Sequence, residues 1–206
     1  MASSFQILCV SVISMFVLAG CDGGQQAVQA DFTGSQTEAP EVAEALGDYP
    51  DGPYGFGVGD TVADIVLYTS QDEIFSLSAL HQADDKRLLL IFATAGWCGR
   101  CREHMASLAQ LYERRADDGF HAVVSIHENA NYQVATMRDA IYFQRQHQLP
   151  FDIVADSDAQ FLQFFEAFSP PLIIVIDLDT MVVRHLTEVW DLEQMTTLVE
   201  GLLAGD

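Results

Sequence analysis

Two cysteines separated by two residues, Cys98 and Cys101, are the residues of this chain best suited to chemistry. They follow an apolar run at 88–92 that is typical of a buried strand, and they open a segment with helical spacing of apolar residues. Unpaired N–H groups at a helix N-terminus stabilise an anion, so Cys98 should ionise more easily than a free thiol. The Cys98 thiolate can attack a disulfide, and Cys101 can resolve the mixed disulfide. The pattern therefore predicts catalysis of thiol–disulfide exchange.

The same cysteine pair could instead hold zinc or form a purely structural disulfide. Structural zinc sites take four ligands, but the sequence has no second C-x-x-C and no H-x-x-x-H, and His104 and His127 follow no recognised ligand spacing. A disulfide across two residues closes a loop too short to constrain the unfolded chain much. Redox chemistry is therefore the favoured interpretation, and no metal ligand is assigned.

Strands and helices alternate around this motif, and the pattern closes with a hairpin and a final helix. It predicts an α/β domain with a central mixed β-sheet flanked by helices. Roughly 145 residues can bury one substantial core without help from disulfides. Strands are predicted at 62–68, 87–94, 120–126, 151–155, 172–176 and 181–186, and helices at 75–80, 98–116, 134–148, 159–168 and 192–203.

Residues 1–20 are predicted to be a signal peptide. Residues 5–20 are apolar or small and uncharged, and the run is too short for a comfortable membrane span. Leu18-Ala19-Gly20-Cys21 resembles the lipobox of bacterial lipoproteins, which implies cleavage before Cys21 and a lipid anchor on its thiol. Because no lysine or arginine precedes the run, an ordinary signal peptide or a buried N-terminal helix stays open. Asp22 follows the cysteine, and the resemblance to enterobacterial lipoproteins, in which aspartate at this position is associated with the inner membrane, implies an inner-membrane anchor with the domain facing the periplasm.

Composition separates a tether from a domain and excludes one class of partner. Residues 21–57 are rich in Gly, Gln, Ala, Asp, Glu and Pro and are predicted to be a flexible tether, which leaves 58–206 as the folded domain. The net charge is −21, from 30 acidic and nine basic residues, and Lys86 is the only lysine. Binding to nucleic acid needs a basic face, so no nucleic-acid partner is expected. The acidity fits a solvated surface or a saline habitat equally well.

The segment from Ile91 to Cys101 resembles the active-site segment of TlpA-like thiol–disulfide reductases, a family of the thioredoxin superfamily. The resemblance covers about residues 58–203 and includes Gly59-Asp60-Thr-Val-Ala-Asp64 and Leu77-Ser-Ala-Leu80, although Ala63 stands where that family usually has proline. It implies a thioredoxin-like fold with a four- to five-stranded sheet. It also implies that the cysteines work without a cofactor.

Ser169-Pro170-Pro171, before the apolar run at 172–176, resembles the cis-proline segment of the same family. Counting back from Asp177 makes Pro171 the better match and Pro170 the alternative. The resemblance places this segment opposite the cysteines, where its backbone binds an extended substrate strand. Trp97 is expected to flank the site as a contact surface for substrate.

Two positions depart from the family pattern. Phe92 stands where thioredoxins carry a buried aspartate, and His104 stands where some TlpA-like reductases have a glutamate. His104 shares a helix face with Cys101, so it is a candidate for proton exchange, although an ordinary packed or solvated histidine is the favoured interpretation. The histidines at positions 81, 121, 147 and 185 form no recognised constellation and are expected to be structural.

The sequence favours a reductase, with disulfide-containing client proteins as substrates and a membrane thiol carrier as electron donor. Apocytochrome c is one example of such a client. Two alternatives remain. One is a thiol peroxidase, since peroxiredoxins share the opening motif, although those enzymes place a threonine three residues before the peroxidatic cysteine and this chain has Ala95 there, with Thr94 before it. The other is a non-catalytic module that binds metal or a client.

Overall fold

The computed structural model describes residues 48–205, and these residues form seven strands and four α-helices. Two short 3-10 helices, at Ala116–Asp118 and Gln160–Phe164, complete the regular structure of this range. In chain order the elements are β1 (Val66–Tyr68), β2 (Ile74–Ser76), α1 (Leu77–His81), β3 (Leu88–Ala95), α2 (Gly99–Arg115), β4 (Phe120–Glu128), α3 (Met137–His147), β5 (Asp152–Ala155), β6 (Leu172–Asp177), β7 (Val182–Thr187) and α4 (Leu192–Ala204).

A five-stranded mixed sheet with β3 at its centre organises the domain, in the order β5-β4-β3-β6-β7. β3 pairs in parallel with β4 and antiparallel with β6, while β4 is parallel to β5 and β6 antiparallel to β7. β1 and β2 form a separate antiparallel pair. The sequence-based prediction of a central mixed sheet flanked by helices is confirmed.

The apolar run of β3 is buried on both faces of the sheet, which explains why it does not alternate with polar residues. Leu90 and Phe92 pack in the core cluster that includes residues of α2, α3 and α4. Leu89 and Ile91 pack in a second cluster with residues of β1, β2 and the 3-10 helix at Gln160–Phe164. Burial on both faces fixes the position of β3 in the sheet. It therefore also fixes where the segment between β3 and α2 begins.

α2 begins directly after β3 and lays one apolar stripe on the sheet. Its buried residues Met105, Leu108 and Leu111 recur at helical spacing. The helix ends before Gly119, which has a φ of +94° and closes the 3-10 turn. A side chain at that position would be strained by its φ, and its Cβ would lie 3.0 Å from Cγ of Arg87.

The prediction of a helix at 159–168 is wrong. The chain forms only the 3-10 helix Gln160–Phe164, because Ala159 has a left-handed backbone (φ 55°) and Phe165 is already extended. The buried carboxylate of Asp156 accepts hydrogen bonds from the amides of Gln160 and Phe161, at 2.8 and 2.9 Å. The aromatic spacing that suggested a helix instead buries Phe161 and Phe164 in the second cluster.

The strand predicted at 62–68 is also shorter than expected, and it is followed by a second strand before the helical turn. Only Val66–Tyr68 form a strand, and its partner Ile74–Ser76 was not predicted. The helical turn begins later than expected, at Leu77, because the Ser76 side chain accepts a hydrogen bond from the Ala79 amide and caps the helix there.

Residues 48–57, which composition assigns to the tether, include contacts with the domain. Tyr49 is buried in the second cluster and its hydroxyl donates to the Val62 carbonyl at 2.9 Å. Tyr54 forms a bridge with Thr61. The predicted signal peptide, Cys21 and the tether up to residue 47 lie outside the described residues. Between residues 48 and 205, no helix is long and apolar enough to cross a bilayer.

His121 on β4 should make the stability of the domain depend on pH. The residue is 7% exposed, and within residues 48–205 neither ring nitrogen has a hydrogen-bond partner. Burial and, to a smaller extent, nearby Lys86 lower the pKa of His121 to about 4, although Asp85 opposes the shift. An unfolded histidine titrates near 6.5, so between these values the unfolded chain binds more protons. The free energy of unfolding should fall as pH decreases through this window, by up to about 1.4 kcal/mol per pH unit from this group.

Urea unfolding of His121→Leu and His121→Gln between pH 4.5 and 7 checks this expectation. Both variants should show a flatter pH dependence than the parent protein, whatever their stability at pH 7, because neither side chain titrates. A wild-type slope in both variants would contradict the assignment.

Candidate active site

Cys98 and Cys101 form a disulfide at the start of α2, with their Cα atoms 5.3 Å apart. Cys98 is the N-cap residue, and Cys101 lies in the first turn. The two cysteines differ in exposure, since Cys98 is 6% exposed and Cys101 is fully buried. An incoming thiol or disulfide therefore meets the sulfur of Cys98 first.

The helix N-terminus points hydrogen-bond donors at the sulfur of Cys98. The amide of Cys101 donates to Sγ of Cys98 at 3.2 Å. The first amides of α2 also carry the positive end of the helix dipole. In the dithiol form the same donors would stabilise a Cys98 thiolate, which is the reactive species in exchange.

The segment Pro170–Pro171 lies directly beside Cys98. Its peptide bond is cis, as the sequence resemblance implies for Pro171. The carbonyl oxygen of Pro170 lies 3.8 Å from Sγ of Cys98 and accepts a hydrogen bond of 3.2 Å from Nη2 of Arg100. The two segments meet because β6 starts opposite the end of β3, with Leu172 paired to Ala93.

Trp97 is held beside the cysteines by groups from two other parts of the chain. Its indole Nε1 donates to Oε2 of Glu128 at 2.7 Å. Its ring stacks on Tyr132, with centroids 5.2 Å apart, and meets the edge of Phe168 at 5.8 Å. Trp97 is only partly buried, so one part of its surface is available to a partner.

Gly96 permits the close approach that brings Trp97 to Glu128. The amide of Gly96 donates to the Glu128 carbonyl at 2.7 Å. A Cβ at this position would lie 2.7 Å from the backbone nitrogen of Ala130, closer than side chains normally approach backbone. The glycine is therefore needed where the end of β3 passes the end of β4.

His127 lies behind Trp97 in a buried, partly aromatic environment. Its Nδ1 is 3.0 Å from the carbonyl oxygen of Thr94, and its ring meets Phe168 edge to face at 4.0 Å. Its Nε2 lies 3.9 Å from Oε2 of Glu128. Burial lowers the pKa of His127, and the Thr94 carbonyl and the Glu128 charge oppose that shift. His127 is thus a neutral structural neighbour of the site near neutral pH.

The sequence reasoning missed Glu128. It named His127 only as an unlikely zinc ligand and did not connect β4 with Trp97. A parallel pairing of β3 with β4 would have predicted the contact between Glu128 and Trp97, because the carboxyl ends of adjacent parallel strands lie at the same edge of a sheet. Glu128 ends β4 just as Trp97 follows β3.

His104, the candidate for proton exchange, lies on α2 and packs towards Trp190, with ring centroids 6.4 Å apart. Burial lowers the pKa of His104, so the ring is mostly neutral at pH 7 and could accept a proton more readily than supply one. Phe92 is fully buried and packs edge-on against Trp190 at 5.6 Å. The structure therefore puts an apolar side chain where the family resemblance would have an acid, and the role of His104 stays a prediction.

A cleft of about 330 Å³ lies between the loop after β4 and α3, and Gly96, the residue before Trp97, is part of its lining. Polar groups of Asn129, Asn131 and Gln146 line it together with Tyr142 and Gly96. Tyr132 and Tyr142 are 69% and 67% exposed. The cleft thus combines amide and aromatic groups with the acidic residue Asp139.

The sequence profile of the AhpC/TSA family matches residues 58–186, a span that contains the cysteine pair and the Pro170–Pro171 segment. The chain belongs to the AhpC/TSA family. No curated protein sequence matches the chain.

Solved structures show the same thioredoxin-like fold. The chain is similar to a putative thiol:disulfide interchange protein DsbE from Chlorobium tepidum, with 21% identity, a TM-score of 0.58, and coverage of 73% of this chain and 98% of that one. It is similar to peroxidoxin BcpB from Mycobacterium tuberculosis, with 16% identity, a TM-score of 0.57, and coverage of 73% and 97%. It is also similar to a secreted disulfide oxidoreductase of M. tuberculosis, with 15% identity, a TM-score of 0.52, and coverage of 66% and 95%. The prediction of a thioredoxin-like fold is confirmed.

Glu128→Leu should release the indole of Trp97. Loss of the charged acceptor leaves the Nε1–H without its 2.7 Å partner, and hydrogen bonds to charged groups contribute about 1.5–3 kcal/mol. We expect the Trp97 indole N–H signal in a ¹H–¹⁵N spectrum to move upfield, while the Trp190 indole, which donates to Ser107, stays in place. Glu103→Gln, at an exposed glutamate on α2, is the control and should move neither signal. An unmoved Trp97 signal in Glu128→Leu would contradict the contact.

Proposed function

We propose that this protein is a thiol–disulfide oxidoreductase of the bacterial cell envelope, of the TlpA-like reductase type, that reduces disulfides in client proteins. The proposal is carried by the asymmetry of the cysteine pair. The sulfur of Cys98 caps α2 in a residue that is 6% exposed, and Cys101 is fully buried one turn further along. This is the arrangement that a nucleophile and a resolving thiol require.

The proposed cycle uses only the two cysteines of this chain. The Cys98 thiolate attacks one sulfur of a client disulfide, and the other client sulfur leaves as a thiolate that takes up a proton. Cys101 then attacks Sγ of Cys98, which releases the second client thiol and forms the Cys98–Cys101 disulfide. Two electrons have passed to the client. A membrane thiol carrier would then supply two more electrons to the Cys98–Cys101 disulfide by thiol–disulfide exchange and would itself become a disulfide.

The charge of Arg100 bears on the direction of electron flow. Strong oxidants of the thioredoxin superfamily lie about 150 mV above thioredoxin, which corresponds to about 7 kcal/mol. An exposed charge contributes about 0–1 kcal/mol, or up to about 20 mV. Arg100 is exposed and its guanidinium already binds the Pro170 carbonyl. The charge of Arg100 therefore raises the reduction potential too little to make the cysteine pair a strong oxidant. This favours a protein that reduces disulfides.

The envelope location rests on the N-terminal sequence. The lipobox-like segment ending at Cys21 supports a lipid anchor, with the inner membrane favoured by Asp22. Stable anchoring by acyl chains needs more than one chain, which a lipidated N-terminal cysteine provides. A similar fold occurs in a protein described as secreted.

Replacement of the two cysteines should give two different phenotypes. A soluble form that begins after Cys21 should reduce insulin disulfides with dithiothreitol as electron source. Cys98→Ser should abolish this activity, because the remaining thiol, Cys101, is fully buried and cannot reach a client disulfide. Cys101→Ser, reduced first and then mixed with insulin after removal of dithiothreitol, should accumulate a mixed disulfide at Cys98, detectable by non-reducing electrophoresis and mass spectrometry. Equal activity in Cys98→Ser and the parent protein would sink the proposal.

A thiol peroxidase is the second candidate, favoured by the family match and by the similarity to peroxidoxin BcpB. The surroundings of Cys98 argue against it. Ala95 occupies the position where peroxiredoxins have threonine, and Thr94 is fully buried with its hydroxyl 3.5 Å from the Ala95 carbonyl. In the same assay, peroxide consumption by the parent protein should be negligible; rapid consumption that depends on Cys98 would favour the peroxidase.

Cys21→Ala should release the protein from the membrane fraction of a bacterium that processes lipoproteins, because the proposed anchor is attached to that thiol. Cys9→Ala changes a cysteine in the same N-terminal region and should leave membrane association intact. Fractionation with immunodetection measures both. Equal membrane retention of the Cys21 variant would contradict the lipid anchor.

A further inference from the structure

His127 is the extra residue of a β-bulge between β3 and β4. The parallel pairing is regular up to Thr94, which lies opposite Ile126, but the next residue of β3, Ala95, lies opposite Glu128. His127 is therefore left over in the register, and Glu128 lies one residue earlier along β3 than a continuous register would place it. A bulge bends its strand and re-aims the side chains next to it.

The imidazole of His127 ties this bulge to β3. Its Nδ1 lies 3.0 Å from the carbonyl oxygen of Thr94. Because a carbonyl oxygen only accepts hydrogen bonds, Nδ1 is the donor and carries the proton of the neutral ring. His127 is 8% exposed, so water has little access to this bond. The bulged residue is thus bonded through its side chain to the strand on which it has no paired residue.

Two further segments contact His127. Its backbone carbonyl accepts a hydrogen bond of 2.8 Å from the amide of Ala135, in the loop after β4. Its ring packs on Phe168, which also meets the ring of Trp97. Nε2 of His127 lies 3.9 Å from Oε2 of Glu128, which is too far for a hydrogen bond. His127 therefore acts on Glu128 through the backbone of the bulge.

We propose that His127 is a positioning residue for disulfide exchange, which holds the bulge in the geometry that keeps Glu128 bonded to the indole of Trp97. The inference rests on the proposed oxidoreductase function. Glu128 directly follows the bulged residue, and its Oε2 accepts the indole N–H at 2.7 Å. Trp97 directly precedes Cys98. A change in the bulge should therefore alter the surface that a protein client meets, while the sulfur at the start of α2 stays in place.

Three substitutions separate the hydrogen bond of His127 from its packing and from general effects on stability. His127→Asn keeps an N–H donor at the position of Nδ1 and loses most of the ring. His127→Leu keeps much of the volume and loses the donor. His121→Leu is the matched control, because His121 is also a buried histidine of β4 but lies at the other end of the strand, opposite Leu89.

The first readout is the indole N–H signal of Trp97 in a ¹H–¹⁵N spectrum. His127→Leu should move this signal, because Glu128 loses its fixed position, and His127→Asn should leave it close to its place in the parent protein. The Trp190 signal should stay in place in both variants, and neither signal should move in His121→Leu. An unmoved Trp97 signal in His127→Leu, or an equal movement in His127→Asn, overturns the proposal.

The second readout compares a large disulfide with a small one. The reduced full chain reacts in a single turnover with insulin or with 2-hydroxyethyl disulfide, and formation of the Cys98–Cys101 disulfide is followed by acid quench, alkylation and mass spectrometry. His127→Leu should lower the second-order rate constant for insulin roughly threefold to tenfold, the range expected for the loss of one hydrogen bond. The rate constant for the small disulfide should not change, because that molecule needs only the sulfur of Cys98. His127→Asn and His121→Leu should match the parent protein with both disulfides.

The outcomes separate the inference from the function on which it rests. An unchanged rate constant for insulin, or an equal loss with both disulfides, in His127→Leu overturns the positioning role and leaves the oxidoreductase intact. A loss of the same size in His121→Leu also overturns it, since a general loss of stability would then explain the effect. A parent protein that reduces neither disulfide overturns the proposed function and the inference together.

The tautomer of the His127 ring tests the bond without a substitution, so the proposal stays testable if His127→Leu does not fold. A ¹⁵N spectrum of the parent protein with labelled histidine should show the proton of the neutral ring on Nδ1, with the signal assigned by its absence in His127→Asn. A neutral ring that carries its proton on Nε2 overturns the proposal, because it could not donate to the Thr94 carbonyl.

Discussion

The burial of β3 on both faces is the constraint on which the site depends. A strand with eight buried residues cannot lie at an edge, so it takes a parallel neighbour on one side and an antiparallel neighbour on the other. Its C-terminal end then meets the end of β4 and the beginning of β6. Cys98, Glu128 and Pro170 come from three distant parts of the sequence, yet these two pairings bring them to one edge of the sheet.

The same edge concentrates favourable electrostatics in an otherwise acidic protein. The chain carries a net charge of −21, which opposes any additional anion on its surface. The start of α2 offsets this locally, with the Cys101 amide directed at Cys98 and with Arg100 and Arg102 in the first turn. The helix terminus is thus the place in the described part of the chain where the proposed thiolate has donors arranged for it.

The sequence predicted those parts of the structure that are set by local pattern. The cysteine pair, the helix that follows it and the central strand were placed correctly, because apolar periodicity and the helix stop at Gly119 are local signals. The prediction of a helix at 159–168 was wrong because the same aromatic spacing fits either a helix or a short turn that buries Phe161 and Phe164. The sequence pattern also gives no sign of the left-handed backbone of Ala159. Burial of a side chain through tertiary contact has no local signal either, as Tyr49 shows.

Contacts between distant segments were the part of the site that the sequence could not supply. The Trp97–Glu128 bond joins residues 31 positions apart, and the Arg100–Pro170 bond joins residues 70 apart. Each depends on strand order, and strand order follows from how the whole chain packs. The sequence could predict that two prolines lie in the site. It could not predict which side chain donates a hydrogen bond to the Pro170 carbonyl.

The Tyr49 contact also decides which face of the sheet the start of the described chain covers. Its ring packs edge-on against His81 and its hydroxyl holds the Val62 carbonyl, in the layer that covers one face of the sheet. The first described residues therefore join the domain through the second cluster, whereas the buried residues of α2, Cys101 among them, belong to the cluster on the other face of the sheet.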